Sequence, residues 1–319
     1  MGCPNLIGMA DQRFVPSVTQ LRVFLAVAER LHFRSAAADL GLSQPSLSQA
    51  LATLEEGLGV RLVERSTRSV LVTPAGERLL PYARAAVSAM DAVADAAAGS
   101  AGPLFGPLRI GVIPTAAPYL LPGLLPALAE RFPDLRPRIV EDRTARLLDG
   151  LRAGSVDLAV LALPADTTGV VEIPLYHEPF TLLLPADHEL VGREDLPLEV
   201  LADLPLLLLD EGNCLRDQTI DLCRRVSARV LGRGDTRAAS LATAVRCVAG
   251  GLGATLVPES AVESESRDPA IGVARFAHPR PGRTMGLVLR AATAGDEAYA
   301  EFGRVVTDVA ARAFGATPV

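Results

Sequence analysis

Two cysteines nine residues apart, Cys214 and Cys223, stand in the segment Leu-Asp-Glu-Gly-Asn-Cys-Leu-Arg-Asp-Gln-Thr-Ile-Asp-Leu-Cys, and the 319 residues hold only four cysteines. Cys214 follows a Glu-Gly-Asn turn and opens a helix-like stretch carrying Arg216. A helix N-terminus with a cation beside it favours negative charge, the setting that lowers a thiol pKa and makes thiolate. A free thiol near pKa 8.5 is only about 3% thiolate at pH 7, so such a shift changes reactivity roughly in proportion. Cys223 is the natural partner for whatever Cys214 becomes on oxidation.

The spacing adds a mechanical argument. If residues 214–223 form one helix, the two Cα atoms lie about 13 Å apart on opposite faces. A disulfide needs Cα atoms within about 7 Å. The bond then requires the segment to lose its helical structure, and a reversible bond that demands local refolding is a switch. The alternative is a pair of inert, buried small hydrophobes. No metal site is expected: there is no CxxC, and the nearest histidine, His188, has no ligand partners in sequence. Cys247, in Ala-Val-Arg-Cys-Val-Ala-Gly-Gly, falls on an apolar helical face and reads as core, while Cys3 falls in an irregular N-terminal stretch.

The elements that must hold these thiols lie after Pro107, where strands and helices alternate. Leu108–Ile113 is a buried-strand run, followed by a helix beginning near Thr115, a strand Arg138–Glu141, a helix from Thr144 and a strand Val156–Leu163. This βαβ order implies a parallel sheet. A second unit follows with strands Phe180–Leu184 and Leu206–Leu209, the Cys214 helix, and a helix from Ser240 to Val248. Gly250–Gly253 then turns into a strand Ala254–Val257; it lacks the spacing of a dinucleotide or P-loop fingerprint. A strand Met285–Arg290 and a helix Glu297–Phe314 close the chain. Crossings near 177–183 and 281–285 divide residues 107–319 into lobe I, about 107–178 and 284–319, and lobe II, about 179–283.

The N-terminal third has a different pattern. Residues 1–16 lack periodicity and read as a disordered extension. From Ser17 a helix carries Leu21, Phe24, Leu25 and Val27 or Ala28 on one face; Phe33 opens a second short helix that stops at Gly41. Ser43 caps a third, Gln44 to about Leu54, with Pro45 tolerated in its first turn. Two helices joined by a short Gly-containing turn form a helix-turn-helix. In the third helix Leu47, Ala50, Leu51 and Leu54 share the inward face. Ser46, Gln49 and Thr53 point outward, with Gln44 and Ser48 near the N-terminal end; such groups suit base edges in a major groove, whereas the plainer alternative is a solvated face. Residues 61–72 read as two short strands around a polar tip with Arg65 and Arg68, a wing aimed at phosphates. A helix from Thr73-Pro74 to roughly Ala98 repeats Leu79, Leu80, Ala83, Ala86, Val87, Met90, Val93, Ala94 and Ala97 at helical spacing. It cannot cover that stripe alone and is expected to pair with a second copy. Residues 99–106 form a hinge, so the expected domains are 17–73, 74–106 and 107–319.

Composition excludes several classes. A hydrophobic content of 49% can build substantial cores. No apolar run reaches the length of a membrane span, and the N-terminus lacks a signal peptide, so a reducing cytoplasm and no membrane partner are expected. Net charge is −6 and every fixed cation is Arg, with no Lys at all. Residues 17–76 carry six Arg against five acids, so DNA binding rests on the motif rather than on bulk charge.

The stretches Phe-Leu-Ala-Val-Ala-Glu, Leu-Ser-Gln-Pro-Ser-Leu-Ser-Gln, Leu-Gly-Val-Arg-Leu-Val-Glu-Arg and Thr-Pro-Ala-Gly resemble LysR-type transcriptional regulators, a resemblance that runs from about residue 17 to the end. Within that family, Ile-Pro-Thr-Ala-Ala-Pro-Tyr-Leu-Leu-Pro (113–122), Glu-Gly-Asn-Cys-Leu-Arg-Asp-Gln (211–218), Cys223 and Gly-Arg-Thr-Met-Gly-Leu-Val (282–288) are similar to the hydrogen-peroxide-sensing members. The resemblance implies an α/β chain: a winged helix-turn-helix, a linker helix and a two-lobed, periplasmic-binding-protein-like effector domain. It implies a peroxidatic Cys214 and a resolving Cys223, joined in a reversible disulfide. Around them it implies a peroxide pocket of Thr115, Thr144, Asn213, Leu215, Arg216, Asp217 and Arg283, in which Asp217 helps to hold the loop. The DNA-facing set it implies is Arg34, Ser43, Gln44, Pro45, Ser46, Ser48, Gln49, Arg65 and Arg68. Expected partners are double-stranded promoter DNA, hydrogen peroxide, further copies in a homodimer or homotetramer, RNA polymerase and a cellular thiol reductant, with no cofactor, no metal and no enzymatic turnover. One departure stands out, because those members commonly have His before the reactive Cys and this chain has Asn213. The rival expectation within the family is a small organic effector bound between the lobes.

Overall fold

The computed structural model describes residues 14–65, 70–97, 104–165, 167–226, 237–291, 293 and 297–319. The chain divides into two bodies, one holding Met1–Ser100 and the other Ala101–Arg152 and Val156–Val319.

In the first body, α1 (Val18–Arg30), α2 (Phe33–Asp39) and α3 (Gln44–Leu58) enclose a small core of Val23, Phe24, Val27, Ala36, Leu47, Leu51 and Leu54. Ser17 and Gln20 cap α1 reciprocally: the Ser17 hydroxyl accepts the Gln20 N–H at 3.2 Å and the Gln20 amide oxygen accepts the Ser17 N–H at 2.8 Å. Ser43 caps α3 by accepting the Ser46 N–H. The third helix runs four residues beyond its expected end because Leu58 continues to pack and Gly59, in the left-handed region, terminates it. Phe14, within the stretch expected to be disordered, packs against this core; a Cβ at Gly57 would fall on its ring.

The wing consists of β1 (Val63–Arg65) paired antiparallel with β2 (Val70–Val72). Glu55 anchors its base from α3, accepting the Leu62 and Val63 N–H groups at 2.8 and 3.0 Å. Helix α4 (Pro74–Ala97) tucks Leu80 and Ala83 into the same core, whereas Met90 and Val93 further along the stripe are exposed. Residues 1–13 with Cys3, the wing tip 66–69 with Arg68, residues 98–103 with most of the expected hinge, and the side chains of Arg65, Ala94 and Ala97 lie outside the described part.

The second body runs β3 (Gly106–Val112), α5 (Ala117–Arg131), β4 (Leu135–Glu141), α6 (Thr144–Arg152), β5 (Leu158–Leu163), β6 (Val170–Pro185), a 3₁₀ turn (Leu198–Ala202), β7 (Leu208–Leu209), α7 (Cys214–Arg225), β8 (Arg237–Ala238), α8 (Leu241–Ala249), β9 (Thr255–Pro258), α9 (Glu259–Glu265), β10 (Ile271–Arg275), β11 (Gly282–Arg290), α10 (Glu297–Phe314) and β12 (Thr317–Pro318). Two separate cores form. One gathers β3, β5, β11 and α10 around Ile110, Val160, Leu287 and Phe302; the other gathers β6, α8 and β9 around Phe180, Leu183, Val245 and Leu256.

The parallel pairing read from βαβ order holds for β3 with β4 and with β5; β8, a strand absent from that reading, also pairs parallel, with β7. The other strands of the main sheet pair antiparallel, and β11 inserts between β5 and β6 after a long excursion through the second lobe. Strand β10 escaped the sequence reading and pairs along the far half of β6. The β6 strand is itself the crossing: its first half pairs with β11 and its second half with β9 and β10, so one 16-residue strand serves both cores. The glycine cluster after α8 makes the expected tight turn, with Gly253 at φ 153° where a Cβ would strike the Pro205 carbonyl.

Candidate functional site: a thiol at the crossing of two lobes

Cys214 is the first residue of α7 and is half-buried, with its side chain against the first-lobe core. Gly212, at φ 82°, reverses the chain after β7 so that Asn213 reaches the N-cap position in extended geometry. The Asn213 carboxamide oxygen accepts the Leu215 N–H at 3.1 Å. Asn is among the best N-cap residues, so the residue that departs from the family habit serves here as the helix cap. The α7 N–H groups and their dipole converge on the Cys214 end.

Cys223 lies at the other end of the same helix, buried in the second-lobe core. Burial pushes its thiol pKa up, which keeps it protonated. The continuous helix realises the geometry expected from the spacing: the two thiols face different cores, and nine residues of helix hold their Cα atoms about 13 Å apart. Cys214, Cys223 and Cys247 are all free thiols, and Cys247 packs partly buried against the second core.

First-lobe residues complete the surroundings. Thr115, expected at a helix start, lies instead in the turn before α5, whose first residue is Ala117. It is buried, and its Oγ1 accepts a hydrogen bond from an Arg283 terminal nitrogen at 2.8 Å, while its carbonyl accepts another at 3.1 Å. Arg283 also donates through Nε to Glu178 Oε2 at 2.8 Å. Arg283 and Glu178 are direct cross-strand partners on β11 and β6, at the crossing between the lobes. Burial alone would push the Arg283 pKa down, but Glu178 and then Cys214 favour the cation, and the net direction is upward. A permanent positive charge therefore sits within electrostatic reach of the Cys214 sulfur.

Thr144 opens α6, and its buried Oγ1 has no hydrogen-bond partner among the described residues. Next to it, Arg143 crosses to the second lobe and donates to the Glu211 carbonyl at 2.6 Å, tying the turn before Cys214 to the first lobe. Arg216 lies largely under the surface, with one terminal nitrogen buried and unpartnered among the described residues and the other 3.7 Å from Glu211 Oε1. Leu215 points into the second core, so only its backbone serves the turn. Asp217 is exposed in the first turn of α7, where it complements the helix dipole; no described side chain bonds to it. Glu178 and Arg143 escaped the sequence reading. The signal for Glu178 was a lone acid in the apolar strand His-Glu-Pro-Phe-Thr-Leu-Leu-Leu, where burial demands a partner.

In the first body, Arg34, Ser43, Gln44, Pro45, Ser46 and Gln49 are exposed and Ser48 is half-exposed at the start of α3. They form one accessible polar edge. Two chemistries are therefore laid out: hydrogen-bonding groups at a helix N-terminus in the first body, and a thiol among fixed donors in the second. No group of three or more His, Cys, Asp or Glu placed to hold a metal occurs among the described residues, and none of their helices is long and apolar enough to cross a membrane.

Family models match both bodies: a bacterial regulatory helix-turn-helix protein of the lysR family over residues 18–77, and a LysR substrate binding domain over residues 101–311. A "Probable hydrogen peroxide-inducible genes activator" of Mycobacterium avium is 53% identical over 301 residues, covering 94% of this chain and 96% of that one. Among solved structures, a hydrogen-peroxide-bound Cys-to-Ser mutant of OxyR from Corynebacterium glutamicum superposes with TM-score 0.67 at 47% identity, covering 95% of each chain. The oxidized form of the same organism's OxyR matches with TM-score 0.60 at 47% identity, over 96% of this chain and 95% of that one. The chain belongs to the LysR family of bacterial helix-turn-helix regulators, in the group of hydrogen peroxide-inducible genes activators.

Proposed function

We propose that this chain is a transcriptional regulator that senses hydrogen peroxide through Cys214. The observation that carries the reading is the arrangement of α7: a half-buried thiol at its N-terminus within electrostatic reach of Arg283, which itself holds Thr115, and a second thiol buried on its opposite face. The Cys214 thiolate attacks one peroxide oxygen; the S–O bond forms as the O–O bond breaks, and hydroxide leaves to collect a proton as water. Sulfur is oxidised by two electrons and peroxide is reduced. The hydroxyls of Thr115 and Thr144 hydrogen-bond the peroxide, and Arg283, with Arg216 beyond it, stabilises the departing charge. Buried Cys223 keeps its proton and does not compete for peroxide in this conformation.

Cys214 sulfenic acid then condenses with Cys223: the S–S bond forms, the S–O bond breaks and water leaves. Helical separation forbids this bond until α7 unwinds. The Arg143 bond to Glu211 and the Asn213 cap are the ties that release. Refolding of α7 alters how effector domains of a homodimer or homotetramer pack, and so respaces the paired helix-turn-helix units of residues 17–73 on promoter DNA. Exposed Met90 and Val93 on α4 give those copies an apolar stripe to share. Ser43, Gln44, Pro45, Ser46, Ser48 and Gln49 meet the major groove, and Arg34, Arg65 and Arg68 meet the phosphates. The reaction is stoichiometric, set in the cytoplasm and reversed by a thiol reductant, and its output runs through RNA polymerase.

Thiol mapping by mass spectrometry tests the reading. Near-stoichiometric hydrogen peroxide added to reduced protein is expected to yield a Cys214–Cys223 disulfide within minutes, and none in Cys214→Ser. Free thiols at both positions in the wild type would refute it and leave a small organic effector as the inducer.

A further inference from the structure

Five contacts at the lobe crossing form a closed set. Glu178 and Arg283 are both buried and directly opposed on β6 and β11. Glu178 Oε2 takes the Arg283 Nε–H and lies 2.8 Å from a terminal nitrogen, while Oε1 accepts the Ser260 N–H of α9 at 3.0 Å. The remaining edge of the guanidinium holds Thr115 through its hydroxyl and its carbonyl. Both carboxylate oxygens and all three guanidinium nitrogens are thereby engaged, and the planar fork is fixed at both edges. Because the Thr115 oxygen accepts from Arg283, its own proton remains to be donated. Glu178 and then Cys214 are the side chains that most favour the cation.

We propose that Glu178 is a positioning residue for the oxidation of Cys214: it holds Arg283 against Thr115 so that the threonine hydroxyl donates to the peroxide. This rests on the peroxide reading above. Without the Glu178 charge, Arg283 keeps Cys214, once that thiol has ionised, as an anion within its electrostatic reach. The guanidinium would turn toward it and release Thr115. Glu178 touches neither thiol nor peroxide; it acts through the fork.

The test compares two rates on the full chain: oxidation of Cys214 by hydrogen peroxide and alkylation of Cys214 by iodoacetamide, which needs the thiolate but not an aligned hydroxyl. In Glu178→Gln the peroxide rate is expected to fall about 10- to 100-fold, the size of effect expected from a misplaced reacting group, while alkylation changes by no more than about threefold. In a Thr115→Val background the same substitution is expected to lose most of its effect, because residues acting through one group are non-additive. Equal peroxide rates in wild type and Glu178→Gln overturn the proposal, and so does a parallel fall of both rates, which marks a merely structural role. Failure of wild-type Cys214 to oxidise at all overturns the underlying reading instead. Since Gln leaves a buried cation uncompensated, Glu178→Asp is measured alongside. It keeps the charge but is one methylene too short to reach Arg283 and Ser260 together, so a smaller fall in the peroxide-to-alkylation ratio is expected. An unchanged ratio in that variant would also overturn the proposal.

Discussion

The two sides of the Cys214 site are built on opposite plans. On one side, Thr115, Arg283 and Glu178 are buried with their polar groups paired across a continuous sheet. On the other, α7 carries an arginine nitrogen and a glutamine oxygen, in Arg216 and Gln218, that are buried without partners among the described residues, and it is held by a cap and an exposed arginine. A satisfied polar network rigidifies, and a half-satisfied one costs free energy to keep. The difference teaches where the molecule can move. In the proposed reaction the paired sheet side receives the oxidant, and the less satisfied helix side is the part that refolds.

The largest expected effect separates the two thiols themselves. Cys214→Ser should abolish disulfide formation, whereas Cys223→Ser should leave a sulfenic acid at Cys214 that is trapped by dimedone and seen by mass spectrometry. Equal behaviour of the two variants would erase the distinction between the ends of α7.

Stability sharpens the contrast next. Arg283→Met leaves Glu178 as a buried, uncompensated carboxylate and should cost about 3–5 kcal/mol. Arg216→Met removes an imperfectly paired group and should cost about 1 kcal/mol or less. Chemical denaturation of the reduced protein, read by circular dichroism, measures both. Comparable losses would show that α7 is as tightly held as the platform.

The cap is a smaller lever. Asn213→Ala should cost about 1 kcal/mol of helix stability and speed condensation to the disulfide relative to sulfenic acid formation, because α7 unwinds more readily. Asn213→His places a titratable ring beside the thiol, and the ratio of its peroxide rate to the wild-type rate should change between about pH 6 and 8. Stopped-flow rates across that range decide it.

The smallest effect is a linkage term. Burial raises the Cys223 pKa in the folded state, so the unfolded chain loses this proton first as pH rises. The contribution of Cys223 is therefore fully present below the ordinary thiol pKa and is lost as pH climbs through the raised value. Cys223→Ser should flatten that alkaline loss in denaturation series measured around pH 8 to 10. Glu259 acts in the opposite sense. Burial alone would raise its pKa, but hydrogen bonds from Arg275 and Thr181 lower it on balance, so its contribution fades only as pH falls below the normal carboxylate range.

Much of this was legible in one dimension because its causes are local. A capping serine followed by helical periodicity set α1 and α3, a glycine stopped α2, and nine residues of separation put the two thiols on opposite faces of one helix. The strand order of the first lobe followed from the alternation of apolar runs. Where the reading went astray, the deciding partner was distant. Strand β10 is short and takes its place only because the far half of β6 offers an edge. For Leu215, which the resemblance groups with the pocket, the helical rotation that turns Cys214 to the first lobe turns its side chain into the second core.

Residue types, periods and caps determined a winged helix-turn-helix, a two-lobed α/β body and a pair of thiols that cannot meet without unwinding a helix. Tertiary structure alone decided what surrounds the first thiol. Glu178 and Arg283 are 105 positions apart and Thr115 and Arg283 are 168 apart, and no short-range pattern in the chain links them. They meet because β11 returns from the second lobe to pair antiparallel with β6, and a charge buried in a sheet persists only where the register brings an opposite charge beside it.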